Sequence, residues 1–144
     1  MKSLLLLIIF VYAQPPLWRY DFEQAKSEAK KDNKLILLSF AGSDWCAPCI
    51  RQTRDIFEKE AFVQYASRSL VLVKADFPRA RKNQLEDTQV KRNEALAEKY
   101  NPEGKFPLTL LLTASGKVLK VWDGYKPTTP EDFIHQINAA AGGQ

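Results

Sequence analysis

The chain has 144 residues and two cysteines, which stand three positions apart in Trp45-Cys46-Ala47-Pro48-Cys49. Thiols this close are either a staple or a reacting pair. A staple across so short a loop gains little, because the loop-closure entropy it removes grows with loop length. The pair is therefore poorly placed to stabilise and well placed to react. Its chemistry is thiol–disulfide exchange: one thiolate attacks a foreign disulfide and the other resolves the mixed disulfide. A cysteine at a helix N-terminus faces unpaired amide N–H groups and the positive end of the helix dipole, and both favour thiolate. In Cys-X-X-Cys settings the first thiol titrates between about 3.5 and 7.5. Cys46 is expected as the exposed nucleophile, with Cys49 one helical turn later beneath it. Pro48 suits the first turn, where its fixed φ fits and no amide donor is needed. Trp45 is expected to cover one side of the site.

The flanking pattern supplies the elements that hold this pair. Leu35 to Ala41 (LILLSFA) is a continuous apolar run, too uniform for a half-exposed strand, and Gly42-Ser43-Asp44 turns the chain into the cysteines. From Cys49 a helical pattern runs to about Glu60, and a shorter one spans Ala61 to Ser67. Upstream, Asp21 to Lys31 is helical, with Phe22, Ala25 and Ala29 on one face. Leu70 to Ala75 is a second buried strand. Residues 77–88 are a polar excursion, and 89–100 are a helix. Leu108–Thr113 and Val118–Trp122 are strands joined by a turn signal, Ala114-Ser115-Gly116-Lys117. Thr129 caps a last helix, with Pro130 at its first position and Phe133, Ile134 and Ile137 as its apolar stripe. Helix-linked strands imply parallel pairs and the hairpin adds an antiparallel edge, so an α/β fold with a central mixed sheet flanked by helices is expected.

The N-terminus carries Lys2, an apolar run from Leu4 to Val11, and small residues before Gln14. Residues 1–13 are expected to be a secretory signal peptide and residues 14–144 the mature domain. The run is too short for a spanning helix, which needs about 18 apolar residues. An exported (periplasmic or secreted) protein without stable membrane insertion is the expectation. The net charge of +4 is scattered among acids except at Arg79-Ala-Arg81-Lys82. A solvated loop accounts for that cluster, and the dense basic stripe of a nucleic-acid binder is absent. His135 is the single histidine. With two cysteines far from it, neither a tetrahedral zinc site nor a cysteine hydrolase finds its ligands or base. No metal or cofactor is expected.

Ser39-Phe40-Ala41 before WCAPC, Phe106-Pro107 opening an apolar strand about 60 residues later, SGKVL and Asp123-Gly124-Tyr125 together resemble the thioredoxin superfamily. The nearest likeness is to exported thioredoxin-like proteins, over roughly residues 20–141. The resemblance implies a thioredoxin-like fold, with Cys46 attacking and Cys49 resolving. It implies that the Phe106–Pro107 bond is cis and that Pro107 lies against the active-site disulfide. Phe106 would pair its backbone with an extended substrate, and Gly124 would let that backbone approach. Trp45 and Pro48 complete the substrate-facing set.

Three departures accompany the likeness. Ser39 stands where the family has a buried acid, Arg54 stands near its helix-kinking proline, and Leu108 follows Pro107 directly. Lys74 matches a lysine near the missing acid and either favours a thiolate or reaches solvent. Asp44 is a second candidate for proton-transfer support, though a turn or helix-cap role is its simpler reading. The expected function is thiol–disulfide exchange with protein thiols and disulfides, more as reductant than oxidant, by a monomer fed from a membrane-bound or exported electron donor. The alternative is a non-catalytic binding module of the same fold with a passive disulfide.

Overall fold

In the computed structural model of the protein, residues 18–143 are described; the leader expected over residues 1–13 and its cleavage point lie outside them. Helix α1 (Phe22–Asp32) begins where Asp21 accepts the Gln24 N–H at 3.0 Å and ends where Asn33 turns left-handed at φ 52°. Its Phe22, Ala25 and Ala29 are buried, as their helical spacing requires. Strand β1 (Leu35–Ala41) is buried at every position after Leu35. Beside it run β2 (Leu70–Asp76), β3 (Leu108–Leu112) and β4 (Val118–Asp123), in the order β2-β1-β3-β4.

β1 and β2 are parallel, while β3 is antiparallel to both β1 and β4. The expectation that helix-linked strands run parallel therefore holds for β1 and β2 and fails for β3. Helix α4 (Asp87–Tyr100) returns the chain to the sheet end it left after β2, so β3 enters beside the C-terminal end of β1, with Leu108 opposite Phe40. Buried Asn101 shapes that re-entry by bonding the Lys105 N–H and carbonyl, both at 2.8 Å. The consequence is functional: Pro107, just before β3, and Cys46, just after β1, lie at the same end of the sheet.

The alternation of strand residues splits the core. Ile36, Leu38, Phe40, Val71, Val73 and Leu110 pack with residues of α1 and α4. Leu37, Leu72 and Leu111 face Phe62 of α3 (Glu60–Ser69) and Phe133 and Ile137 of α5 (Pro130–Ala141) on the other side. Ile134 is only partly buried beside that cluster.

The segment after Cys49 differs from one helix running to Glu60. Helix α2 is short (Ala47–Gln52), and Thr53–Phe57 forms a π-helical turn closed by Glu58 N–H to the Thr53 carbonyl at 2.9 Å. The wider turn brings the adjacent Ile56 and Phe57 into the core beside Phe62, and Lys59 then caps α3 in extended backbone. A π turn thus interrupts the helix near the position where the family resemblance would place a proline.

Candidate active site

β1 delivers the chain into a tight turn in which the Trp45 and Cys46 amides both reach the Gly42 carbonyl, at 3.3 and 2.9 Å. Cys46 is the N-cap of α2: its backbone is extended and its Sγ accepts the Cys49 N–H at 3.3 Å. Pro48 occupies the first turn, where its missing donor leaves nothing unpaired. Cys46 and Cys49 are joined in a disulfide, with Cα atoms 5.2 Å apart. The expectation of an exposed Cys46 is corrected. It is 4% exposed and Cys49 3%, because Ala41, Trp45 and Phe106 pack around the pair.

Trp45 is fixed from several directions. Its indole N–H donates to the Phe77 carbonyl at 2.7 Å, its ring meets Phe106 edge-on at 5.5 Å, and the Arg79 guanidinium lies 3.6 Å from the ring centroid. Gly42 sits directly against the indole, so that a Cβ there would run into it. The Phe106–Pro107 bond is cis, and the Pro107 carbonyl accepts the Gly124 N–H at 2.9 Å. Gly124 has φ 78° with open space where a side chain would stand. That conformation favours glycine and leaves the groove beside Pro107 clear. The Leu108 that follows Pro107 causes no slip: β3 keeps an unbroken register with β1, and the only irregularity lies at Leu111/Leu112 against β4.

Beneath the disulfide a row crosses the sheet in register: Lys74, Ser39, Thr109 and Trp122. Ser39 and Thr109 are buried, and Gln52 of α2 donates to the Thr109 hydroxyl at 3.3 Å. Lys74 shares a cavity of about 200 Å³ with Cys49, Ala41, Ser43, Thr53 and Glu58. Burial pushes the Lys74 ammonium below its ordinary range, the charges of Asp76 and Glu58 pull it partly back, and Trp18 lies 4.9 Å from it. Lys74 thus reaches the side of Cys49 rather than only bulk solvent.

Asp44 is turned the other way. Its carboxylate accepts the Arg79 and Ala80 N–H groups, both at 2.9 Å, and the Asn83 amide at 3.0 Å. The Arg79 N–H foremost, then Asn83 and Ala80, hold it below the usual aspartate range. The cap of α2 is Cys46, so Asp44 is the anchor of the 77–83 segment.

The structure therefore gathers Cys46, Cys49, Trp45, Pro48, Phe106, Pro107, Gly124 and Lys74 at one sheet end. It adds Gly42, Gln52, Thr109, Phe77 and Arg79, which sequence reasoning passed over. Gln52 was detectable one helical turn after Cys49, and Gly42 as the residue that ends a buried strand. Arg79 and Phe77 carry no local signal, because their contact with Trp45 spans more than 30 residues. His135 is exposed on α5. Among the described residues, no His/Cys/Asp/Glu group could hold a metal and no helix is long and apolar enough to cross a membrane.

Comparison with known proteins agrees with this geometry. A family model described as thioredoxin-like matches residues 17–114. The chain is 32% identical over 120 residues to the disulfide bond reductase DsbH of Chlamydia pneumoniae, covering 83% of this chain and 70% of that protein. The solved structure of a DsbH oxidoreductase superposes with a TM-score of 0.82 at 28% identity, covering 100% of this chain and 96% of that one. A thioredoxin from Thermus thermophilus gives a TM-score of 0.65 at 12% identity over 88% of each chain, a likeness of fold.

Proposed function

We propose that this chain, which belongs to the thioredoxin-like family, is a thiol–disulfide oxidoreductase that works as a reductant of protein disulfides. The observation that carries the reading is the Cys46–Cys49 disulfide capping α2 under Trp45 and Phe106. In the reducing direction the Cys46 thiolate attacks one sulfur of a substrate disulfide. That S–S bond breaks, a mixed disulfide forms, and the departing substrate thiolate takes a proton. The Cys49 thiolate then attacks Cys46 Sγ, releasing the second substrate thiol and leaving the Cys46–Cys49 disulfide. Two electrons from a separate dithiol donor, exported or membrane-bound, restore the pair.

The remaining roles follow from position. Trp45, Pro48, Phe106, Pro107 and Gly124 form the substrate-facing surface. Lys74, on the cavity it shares with Cys49, supports proton movement at the resolving sulfur. Asp44 acts indirectly, by holding residues 79–83 against the site. The relative named as a disulfide bond reductase supports the direction, and the basic, apolar pattern of residues 1–13 supports export of a domain from residue 14 onward. Cys49→Ser should accumulate mixed disulfides with protein substrates, and Cys46→Ser should abolish insulin reduction. Insulin reduction unchanged in Cys46→Ser would refute the assignment, and a Cys49→Ser protein that traps no mixed disulfide would leave the passive binding module as the better reading. Equilibration with a thiol redox series should place the pair near thioredoxin, on the order of −270 mV; a value near about −120 mV would make it an oxidant.

A further inference from the structure

The cluster Arg79-Ala80-Arg81-Lys82 reads in sequence as a solvated loop, yet the fold fastens it to the redox site. Asp44, two residues before Cys46, takes three N–H donors from residues 79, 80 and 83. Trp45 holds the Phe77 carbonyl, and the Phe77 ring meets Phe106 at 5.4 Å. The loop is therefore a wall of the site, held by the residues that cover the disulfide.

That wall is positively charged. Among the described residues, Arg79, Arg81, Lys82 and Arg51 form no ion pair, whereas Arg54 and Lys105 do. Four acids around the site are already engaged, whereas Glu58, on the cavity beside Cys49, forms no ion pair among the described residues. Asp44 is bound to loop N–H groups, Asp76 to Ser43, Asp55 to Arg54, and Asp123 to Lys105. Arg79 borders the pair on the side of Trp45, its guanidinium resting on the indole that packs against Cys46, while Lys74 and Arg54 line the cavity on the Cys49 side. Stacking uses the flat face of a guanidinium and leaves its in-plane N–H donors for a carboxylate. A protein that needed only to cover Trp45 could do so with an apolar side chain, without an unneutralised charge.

Resting on the reading of the chain as a thiol–disulfide oxidoreductase, we infer that Arg79, with Arg81 and Lys82 behind it, selects protein disulfides whose reacting cysteine is flanked by acidic residues. Arg79 engages a substrate carboxylate beside Trp45 while Cys46 attacks the adjacent sulfur. It is a specificity residue and leaves the electron balance of exchange unchanged.

The test uses three disulfide-bonded peptides, identical except that Asp, Ser or Lys flanks the reacting cysteine. With dithiothreitol re-reducing the Cys46–Cys49 pair, and its uncatalysed rate subtracted, each is followed as kcat and KM for the oxidised-to-reduced conversion, beside the uncharged bis(2-hydroxyethyl) disulfide. The wild-type protein should favour Asp over Lys by about tenfold in kcat/KM, mostly through KM, and the preference should shrink as salt screens it. Arg79→Gln should flatten the order and Arg79→Glu should reverse it, with rates normalised to the uncharged disulfide. Arg81→Glu/Lys82→Glu, which leaves the Trp45 stack intact, should weaken the preference and so guards against misfolding of the Arg79 variants. An Asp-to-Lys ratio that stays the same in all three variants overturns the inference and leaves Arg79 as a cover for Trp45. Failure of the wild type to reduce any of the four disulfides overturns instead the oxidoreductase reading beneath it.

Discussion

Gly42→Ala isolates the fit between the strand end and the indole that covers the disulfide. Gly42 is buried and its backbone is not left-handed, so alanine costs nothing in φ there. The whole effect must come from the methyl group, which would collide with the Trp45 ring. Two responses are open. If the indole moves, it gives up the bond to the Phe77 carbonyl, the Arg79 stack and the edge contact with Phe106. These are worth about 1 kcal/mol, about 0.5–1 kcal/mol and about 0.5–1 kcal/mol. If the indole stays, the backbone strains instead, and overpacking costs about 1–3 kcal/mol. Both routes converge on roughly 2–3 kcal/mol, or a fall in Tm of about 10 °C for a domain of this size.

The matched comparison is Gly104→Ala, where φ is +65° and nothing lies within 4 Å. There only the left-handed backbone resists alanine, at about 1 kcal/mol, and no atom of the redox site lies within 4 Å of the new methyl. Thermal melts and denaturant titrations of both oxidised variants give the free energies, and insulin reduction gives the functional effect. Gly42→Ala should also lose roughly ten- to a hundredfold in kcat/KM, because the cover of the nucleophile has moved, while Gly104→Ala should keep its rate. A Gly42→Ala protein within about 0.5 kcal/mol of wild type would falsify the packing argument. Destabilisation at full activity would show instead that the position of Trp45 is irrelevant to exchange.

Two further outcomes follow from the polar row under α2. Burial holds the Lys74 pKa low in the folded state. Between that lowered value and the unfolded value of about 10.4, the unfolded chain binds a proton that the folded one does not, so wild-type stability rises with pH across that window. Lys74→Met lacks this gain. Its advantage at neutral pH, within about 1 kcal/mol, should narrow as pH climbs, and a pH-independent gap in urea titrations would refute the assignment. For the Gln52–Thr109 bond, Thr109→Val leaves a buried amide unpaired and should cost about 1–3 kcal/mol. Adding Gln52→Leu should recover part of that loss, and simple additivity in the double-mutant cycle would rule out the coupling.

Legibility tracked the range of the interaction. The helices and strands were readable because their signals are local: Asp21 and Thr129 cap, Pro130 starts a helix, and LILLSFA can only be a buried strand. The cysteines were readable because reactivity follows from a three-residue spacing. What escaped depends on tertiary neighbours. The antiparallel run of β3 is set by where α4 and the Asn101 turn return the chain, and no periodicity encodes that. The π turn is a one-residue adjustment that lets Ile56 and Phe57 share the core, invisible in a pattern that fits an α-helix equally well. Burial of Cys46 came from Ala41 and Trp45 nearby and from Phe106, sixty residues downstream, which no local pattern announces.

Asp44 and Ser39 show why a family position cannot be read without its surroundings. Asp44 is the acid closest in sequence to the nucleophile, yet its carboxylate is bound to three donors of the 79–83 segment. Its low pKa reflects those donors, which stabilise the anion and make it a poor proton carrier near neutral pH. Ser39 removes a buried charge from beneath Cys49, but the site is not left apolar: Lys74 and Glu58 border the same cavity as the resolving cysteine. The charged groups that line the cavity of Cys49 are thus Lys74, Glu58 and Arg54, and under the proposed role of Lys74 an ammonium stands in for the family's carboxylate. An ammonium favours the Cys49 thiolate by charge, whereas a carboxylate disfavours it and must act by taking the proton.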